Sequence, residues 1–347
     1  MHCLVYKILK ESKMPIKIGI NGFGRIGKMV FRLAIQDPEI EIVQVNDKMD
    51  IELLHHLIKY DSVHGRFFTD VKIENDSIII HDRKILVTHN SQPDEIPWER
   101  SEVELVIESS GIFKTRKLME GHLKRGVQKV ILSCPTVDDT IDRTVIMGIN
   151  HTDLLRSDQI ISNSSCTANC VTILLKTLHE EFGILKAFMN TVHPFTNNQK
   201  LQDGYHSDFR RARSALNNII PTTSSAIENI PFVMPEMKGI FDGFATRVPV
   251  SDCSFVELTA HLTSKVSVKK INDTFKDYSE SRFKNYLEYC KDPIVSSDVK
   301  SNYHSAIFDS LSTRVLGQDL IQILAWYDNE SGYSARIIDL VKFITTL

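Results

Sequence analysis

A glycine-rich loop between an apolar strand and a helix is the feature that most constrains this fold. The sequence GINGFGRIG places Gly22, Gly24 and Gly27 in G-x-G-x-x-G spacing, after the apolar run 16–20 and before a stretch of helical periodicity. Glycines at these positions permit a tight turn and let a pyrophosphate approach backbone N–H groups at the helix start. We therefore predict a dinucleotide site, the alternative being a glycine turn with a purely structural role.

The residue at the end of the second predicted strand indicates which dinucleotide binds. Asp47 follows Gly27 by twenty residues, and its carboxylate can accept hydrogen bonds from the adenosine ribose. Its negative charge disfavours a 2′-phosphate at the same place. NAD is the predicted cofactor, and NADP is the alternative because Lys48 lies next to Asp47.

Strand and helix patterns predict an α/β fold with two domains. Residues 15–165 alternate strands with helices and carry a small antiparallel insert, which indicates a doubly wound Rossmann dinucleotide-binding domain. Strand patterns dominate 166–330, so we predict an α+β catalytic domain with a mostly antiparallel sheet. We predict that an amphipathic helix over 331–347 packs on the first domain, and that residues 1–14 are an N-terminal extension.

Composition excludes several functional classes. A net charge of −3 over 347 residues gives no global attraction to nucleic acid or to acidic membranes. The apolar runs are of strand length, far below the roughly 20 residues of a membrane helix. Six cysteines are scattered without a paired framework, which favours free thiols and a reducing compartment. We predict a cytoplasmic protein with no nucleic-acid or membrane partner.

The stretch SNSSCTANC contains the candidate nucleophile. Cys166 lies at a predicted helix start, where unpaired N–H groups and the helix dipole should lower its pKa and favour the thiolate. Cys170 lies one turn deeper beside VTILL and reads as a packed thiol. A metal site would need two further ligands at motif spacing, and none is nearby, so we predict no metal. His193, at the end of a strand in NTVHPFTNN, is the candidate base.

Six motifs together carry a family resemblance. INGFGRIG, SNSSCTANC, TVHPFTNNQ, DFRRARSALNNIIPTT, ATRVPV and WYDNESGYS occur in the order found in the phosphorylating glyceraldehyde-3-phosphate dehydrogenases. The chain resembles that family from Pro15 to the C-terminus. The resemblance implies NAD as cofactor, an aldehyde phosphate and inorganic phosphate as substrates, and a homotetramer. It also implies that the arginine-rich loop of 210–213 packs at a subunit interface rather than on nucleic acid.

The resemblance also implies a mechanism. The Cys166 thiolate attacks the aldehyde of glyceraldehyde 3-phosphate, and His193 acts as acid and base. A hydride passes to NAD, leaving a thioester on Cys166. Inorganic phosphate then releases the acyl group as 1,3-bisphosphoglycerate.

Further residues are assigned roles by the same matching. The residues implied to bind the two phosphate groups are Ser165, Thr167, Thr196, Asn198, Ser224, Ser225 and Arg247. Those implied to bind the cofactor are Asn21, Gly22, Gly24, Arg25, Ile26, Gly27, Asp47, Ser110, Ser133 and Asn329.

The chain departs from the family pattern in the loop that contains Ser224 and Ser225. Ser224 and Ser225 stand where Thr-Gly is usual, and Glu228 stands where Lys is common. Two alternatives therefore remain open. One is erythrose-4-phosphate dehydrogenase, and the other is a non-catalytic NAD-binding sensor or partner protein.

Overall fold

Two β-sheets and seven helices make up the protein in a computed structural model that describes residues 14–138 and 140–347. The predicted N-terminal extension, apart from Met14, lies outside the described residues. The helices are α1 (Arg25–Ala34), α2 (Ile51–Lys59), α3 (Arg116–Leu123), α4 (Cys166–Phe182), α5 (Ser225–Val233), α6 (Val268–Glu280) and α7 (Ser331–Ile344).

The first sheet has nine strands in the order β3-β4-β5-β2-β1-β6-β7-β9-β8. Its strands are β1 (Ile16–Asn21), β2 (Ile40–Asn46), β3 (Lys72–Glu74), β4 (Ser77–Ile80), β5 (Arg83–Thr88), β6 (Leu105–Glu108), β7 (Lys129–Leu132), β8 (Arg143–Thr144) and β9 (Ile160–Ser162). Pairing is parallel from β5 to β8, and β3, β4 and β5 form the predicted antiparallel insert. The predicted doubly wound sheet is confirmed.

The order of the first sheet places a binding crevice at one edge. The chain leaves β1 towards β2 on one side, and β6 pairs with β1 on the other. Ligands of open α/β sheets bind where the strand order reverses in this way, outside the carboxyl ends of the strands. The glycine loop after β1 and the turn after β6 both lie at that edge.

The second sheet has eight strands, seven of them in the order β11-β12-β10-β13-β17-β15-β14, with β16 paired to β17. Its strands are β10 (Ile184–Pro194), β11 (Ile220–Thr222), β12 (Phe241–Val248), β13 (Ser254–Leu262), β14 (Leu287–Cys290), β15 (Ala306–Asp309), β16 (Arg314–Leu316) and β17 (Leu320–Tyr327). Most pairs are antiparallel, as predicted, but β10–β12 and β14–β15 are parallel. Helices α5 and α6 were not predicted, because their short periodic segments lie among stronger strand patterns.

The last helix differs from its prediction. Helix α7 was predicted to be amphipathic, but its side chains are buried on most sides, from Tyr333 near its start to Ile344 at its end. It contacts both α1 and α4, so it packs against elements adjoining each sheet. No helix within the described ranges is both long and apolar enough to cross a membrane.

Candidate active site

A strained turn between β9 and α4 positions Cys166. Ser164 adopts a positive φ of 55°, which is uncommon for a residue with a Cβ, and the Tyr333 hydroxyl donates a hydrogen bond of 3.0 Å to its carbonyl. Ser165 then caps the helix, its Oγ accepting a hydrogen bond from a backbone N–H of the first turn. Cys166 is consequently the first residue of α4, with a partly exposed side chain.

The second sheet brings His193 and Arg247 to that thiol. Cys166 Sγ lies 3.5 Å from His193 Nε2, although the two residues are 27 positions apart. The parallel pairing of β10 with β12 sets His193 beside Arg247. Nδ1 of His193 lies 2.9 Å from the Pro194 carbonyl, and in the tautomer in which Nδ1 donates to that carbonyl the Nε2 lone pair faces the sulfur. Arg247 Nη1 donates to the same carbonyl at 2.9 Å and also contacts Nδ1.

Burial decides the charge states of this pair. Burial raises the pKa of the Cys166 thiol, and the nearby Arg247 guanidinium and the N–H of Thr167 only partly offset it. Burial, followed by the Arg247 charge, lowers the pKa of His193 to about 3. The prediction that the helix start lowers the pKa of Cys166 is therefore wrong, because desolvation of the sulfur outweighs the helix dipole. At neutral pH the two groups form a neutral thiol and a neutral imidazole.

The reactivity of the Cys166 thiol should depend on pH accordingly. Since the pKa of Cys166 is raised, we expect alkylation by iodoacetamide to rise about tenfold per pH unit up to a midpoint above the ordinary thiol value of about 8.5. Lowering the pH protonates more of the thiol and slows alkylation. The rate is measured by mass spectrometry of the peptide containing Cys166. A rate that stays constant between pH 6 and 8 would instead indicate a thiolate–imidazolium pair.

A cavity of about 680 Å³ opens above the thiol. Eight predicted residues line it: Cys166, His193, Ser165, Thr167, Asn198, Ser224, Ser225 and Arg247. Ser225 is the first residue of α5 and lacks a positive φ, so it adopts the dihedrals needed there without glycine. Thr196 is not among the lining residues. It lies in a turn with Gln199, whose N–H donates to its carbonyl, so the structure does not place its side chain at the cavity.

The cavity also contains charged groups that were not among the predicted site residues. Lys114 lines it from the first sheet, and Arg211 joins it from the arginine-rich loop, held by a hydrogen bond of 2.8 Å to Thr222 Oγ1. Asp138 and Glu228 add carboxylates to the lining. No spacing rule connects Lys114 to Cys166, so only the three-dimensional packing could reveal it.

The Tyr327 hydroxyl supports the cavity floor from β17. It lies 2.8 Å from Thr167 Oγ1 and 2.8 Å from Thr191 Oγ1, and all three side chains are buried. The Thr167 hydroxyl is thus already engaged with Tyr327, so only part of its hydrogen-bonding capacity is available to a ligand.

The glycine loop fits a dinucleotide. Gly22 has φ +90, and a Cβ there would lie 2.4 Å from the backbone of Ser110. A Cβ on Gly27 would lie 2.1 Å from the Gly22 carbonyl, whereas above Gly24 there is open space. No side chain caps the start of α1, so its first N–H groups, including that of Ile26, are available to an anion.

Three predicted cofactor residues have hydrogen bonds that orient them within the protein. Asp47 accepts hydrogen bonds from the N–H groups of Phe23 at 2.6 Å and Met49 at 3.0 Å, which orients its carboxylate beside the loop. Ser133 follows β7, with its N–H bonded to the Glu108 carbonyl. The Asn329 Oδ1 accepts a hydrogen bond of 2.9 Å from Ser254, so its Nδ2 is the polar group left for a ligand.

Three other predicted cofactor residues have side chains committed to the protein. Asn21 is buried, donating to Glu108 and accepting from Asn46, so its side chain lies beneath the loop. The Arg25 guanidinium is paired with Asp61 and Glu330. Ser110 donates its N–H and its hydroxyl to Glu108. Any contact of Arg25 with a pyrophosphate would come from its backbone N–H.

The cysteines are consistent with the sequence analysis. Cys170 is fully buried, which confirms the prediction of a packed thiol. Every cysteine within the described ranges is a free thiol. Cys134 also lines the cavity, and burial raises its pKa to about 11.

Comparison with known proteins gives matches along nearly the whole chain. Residues 16–116 match the family model described as glyceraldehyde 3-phosphate dehydrogenase, NAD binding domain, and residues 165–329 match that of the C-terminal domain. Glyceraldehyde-3-phosphate dehydrogenase from Geobacillus stearothermophilus is 42% identical over 334 residues, covering 96% of this chain and 99% of the relative. The protein of the same name from Mycobacterium leprae (strain TN) is 44% identical over 338 residues, covering 95% and 99%.

Proposed function

The chain belongs to the glyceraldehyde-3-phosphate dehydrogenase family, and from this premise we propose that it catalyses NAD-dependent oxidative phosphorylation of glyceraldehyde 3-phosphate to 1,3-bisphosphoglycerate. The observation that carries the proposal is the 3.5 Å approach of Cys166 Sγ to His193 Nε2 inside a cavity lined by Arg247, Arg211 and Lys114. A nucleophile, a base and anion-binding cations are therefore together at one site.

The first step of the reaction, attack on the aldehyde, follows from the neutral charge states of Cys166 and His193. Cys166 Sγ bonds to the aldehyde carbon while its proton passes to the Nε2 lone pair of His193, and the carbonyl oxygen becomes the hydroxyl or oxyanion of a thiohemiacetal. His193 in its protonated form then lies beside Arg247, which favours return of that proton to the reacting oxygen or the solvent. A bound NAD would supply the hydride acceptor for the same carbon, while Nε2 of His193 takes the hydroxyl proton, so that the carbon is left as a thioester on Cys166.

The cations and hydroxyls around the thiol suit the second half of the reaction. Inorganic phosphate attacks the thioester carbon, the C–S bond breaks, and Cys166 leaves as the sulfur anion that takes up a proton. Arg247 offers a planar guanidinium that binds phosphate oxygens in a bidentate manner. Ser165, Thr167, Ser224 and Ser225 line the same cavity and can donate hydrogen bonds to phosphate. We propose Asn198, rather than Thr196, as the loop contact to the sugar phosphate.

The experiment that tests the function compares two aldehydes with and without inorganic phosphate. We expect NAD reduction with glyceraldehyde 3-phosphate, at a higher kcat/KM than with erythrose 4-phosphate, and sustained turnover only when phosphate is present. A preference for erythrose 4-phosphate would favour the alternative enzyme. Binding of NAD with no reduction by either aldehyde would identify a sensor protein and reject catalysis.

Asp47 should make the enzyme prefer NAD. Its oriented carboxylate would lie against the 2′-phosphate of NADP, and like charges in contact cost several kcal/mol. We expect kcat/KM for NADP to be about 100-fold lower than for NAD, which corresponds to about 2.7 kcal/mol. Asp47→Asn should reduce the ratio of kcat/KM for NAD to kcat/KM for NADP. Asp50→Asn, which changes the exposed N-cap of α2, should leave that ratio unchanged. Equal use of both cofactors by the unmodified protein contradicts this role for Asp47.

We also propose that the chain assembles as a homotetramer. One face of the second sheet exposes aromatic side chains: Phe188 on β10 is 63% exposed and Phe244 on β12 is 49% exposed. Tyr205 and Phe209, which precede the arginine-rich loop, are more exposed still. Several exposed aromatic side chains of this kind are typical of an interface. Light scattering should give a molar mass of four times 39.6 kDa for the unmodified protein. Phe188→Asp should lower the measured mass. A monomeric mass for the unmodified protein would oppose the proposal.

The domain division and the location remain proposals. The start of α4 at Cys166, between two sheets built from 16–162 and 184–327, supports domains of 15–165 and 166–330. The contact of α7 with α1 supports its packing on the first domain. Limited proteolysis that released fragments with other boundaries would oppose this division. The free thiols support a cytoplasmic location, which fractionation of cells would test.

A further inference from the structure

A buried group of three side chains lies away from the catalytic cavity. His64 follows α2 in the first half of the chain, Asp252 lies between β12 and β13, and Asp328 directly follows β17. One possible ligand atom from each of these residues lies within 4.8 Å of the other two. The group therefore joins a loop adjoining the first sheet to the ends of strands of the second.

Two of the three side chains have polar atoms without a partner. Neither carboxylate oxygen of Asp252 makes a hydrogen bond to another described residue, and its side chain is 0% exposed. Nδ1 of His64 likewise makes none, and that side chain is 4% exposed. A buried carboxylate without hydrogen bonds is costly, and such groups normally bind a ligand, an ion or water. Asp252 Oδ2 lies 3.6 Å from His64 Nε2, so the unpartnered carboxylate faces the imidazole ring.

The other contacts orient the possible ligands. Asp328 Oδ1 accepts hydrogen bonds from the N–H groups of Glu330 at 2.9 Å and Ser331 at 2.7 Å, and Oδ2 accepts one from Ser301 at 2.8 Å. His64 Nε2, the ring nitrogen beside Asp252, also lies 2.9 Å from Glu330 Oε2, so Glu330 fixes the orientation of the imidazole within the group.

The charges of the neighbourhood do not balance. The cations Arg25 and Lys28 are committed to Asp61 and Glu330. The carboxylates of Asp252 and Asp328 are left without a lysine or arginine partner among the described residues, an excess of two negative charges when His64 is neutral and of one when it is protonated.

We propose that His64, Asp252 and Asp328 bind one divalent transition-metal cation of the zinc or manganese class. One imidazole and two carboxylates suit such a cation better than magnesium or calcium, which prefer ligand sets made of oxygen alone. The ion neutralises the excess charge and links the loop after α2 to the ends of β12 and β17. Its role is structural, because the three ligands are not among the residues that line the catalytic cavity.

The test measures zinc binding and thermal stability in a Cys166→Ser background, which removes the reactive thiol as a competing zinc ligand. Protein treated with a chelator is titrated with zinc chloride in a calorimeter and melted with and without zinc. We expect one saturable site per chain and a Tm that rises with zinc concentration. Adding Asp252→Asn should abolish both effects, and His64→Gln should weaken them. Asp273→Asn, which alters an exposed carboxylate paired with Lys269 on α6, is the matched control and should change neither.

The metal-free variants supply a second readout. Asp252→Asn removes a buried charge without a partner, so in the absence of zinc we expect its Tm to equal or exceed that of the parent, which also shows that it folds. No saturable zinc binding to the Cys166→Ser protein overturns the proposal. So does zinc binding of undiminished affinity and stoichiometry in the protein that also carries Asp252→Asn. None of these results depends on catalysis, so the proposed function can fail or hold independently.

Discussion

Replacing Cys166 by serine is expected to lower phosphate-dependent NAD reduction by at least about 10⁴-fold, because it removes the thiol that lies 3.5 Å from His193 and would form the covalent intermediate. A serine hydroxyl has nearly the size of the thiol but is far less acidic and less nucleophilic. The change keeps the α4 start intact, since Ser165 still caps the helix. The measurement is steady-state kcat with glyceraldehyde 3-phosphate, together with calorimetric NAD binding, which should be unchanged.

The matched control is the second thiol of the cavity. Cys134→Ser alters a thiol that lines the same cavity, but the sulfur that lies 3.5 Å from the base His193 is that of Cys166. We expect this variant to keep kcat within a few-fold of the unmodified protein. If activity survived Cys166→Ser but were lost with Cys134→Ser, the nucleophile would be Cys134 and our assignment to Cys166 would be wrong.

Replacing His193 by asparagine is expected to lower kcat by about 10²- to 10⁴-fold, the usual contribution of a positioned base. The unmodified enzyme has a protonated thiol and a neutral imidazole at neutral pH, since burial raises the pKa of Cys166 and lowers that of His193 to about 3. Without the imidazole, only the small thiolate fraction reacts. The rate of the variant should therefore rise about tenfold per pH unit towards alkaline pH, and it should do so more steeply than that of the unmodified enzyme.

A surface histidine provides the control for this variant. His81 lies in an exposed turn with φ 48, a conformation that asparagine tolerates well, so His81→Asn should leave kcat and its pH dependence unchanged. If His193→Asn retained kcat while only KM for the aldehyde rose, His193 would be a binding residue, and the base would have to be sought elsewhere in the cavity.

Much of the fold could be predicted because its signals are local. The glycine loop, the alternation of strands and helices to residue 165, and the end of α4 at Gly183 each depend on short-range periodicity and turn chemistry. The unpredicted helices α5 and α6 each bury only a few residues, and their stability depends on packing against other elements. The burial of α7 on most sides likewise depends on its contacts with α1 and α4, which no window of sequence contains.

In the candidate site, too, some features could be predicted from local sequence and others depend on tertiary packing. Cys166 could be singled out from its place before a helix, but its charge state could not, because desolvation depends on how the two halves of the chain close over it. Matching by family placed Asn21 and Arg25 at the cofactor. The structure engages the Asn21 side chain with Glu108 and Asn46, and that of Arg25 with Asp61 and Glu330. No sequence pattern identified Lys114 as a residue of the catalytic cavity.

The sequence by itself determined the family and the cofactor class and indicated the candidate reactive sulfur, since each rests on residue types at fixed spacing along the chain. Only the tertiary structure decided that His193 and Arg247 meet that sulfur, that the thiol and the imidazole are neutral, and that His64, Asp252 and Asp328 share one buried space. The physical reason is that desolvation and electrostatic energies depend on distances through space. Residues far apart in sequence are brought within a few ångströms by strand pairing and sheet packing.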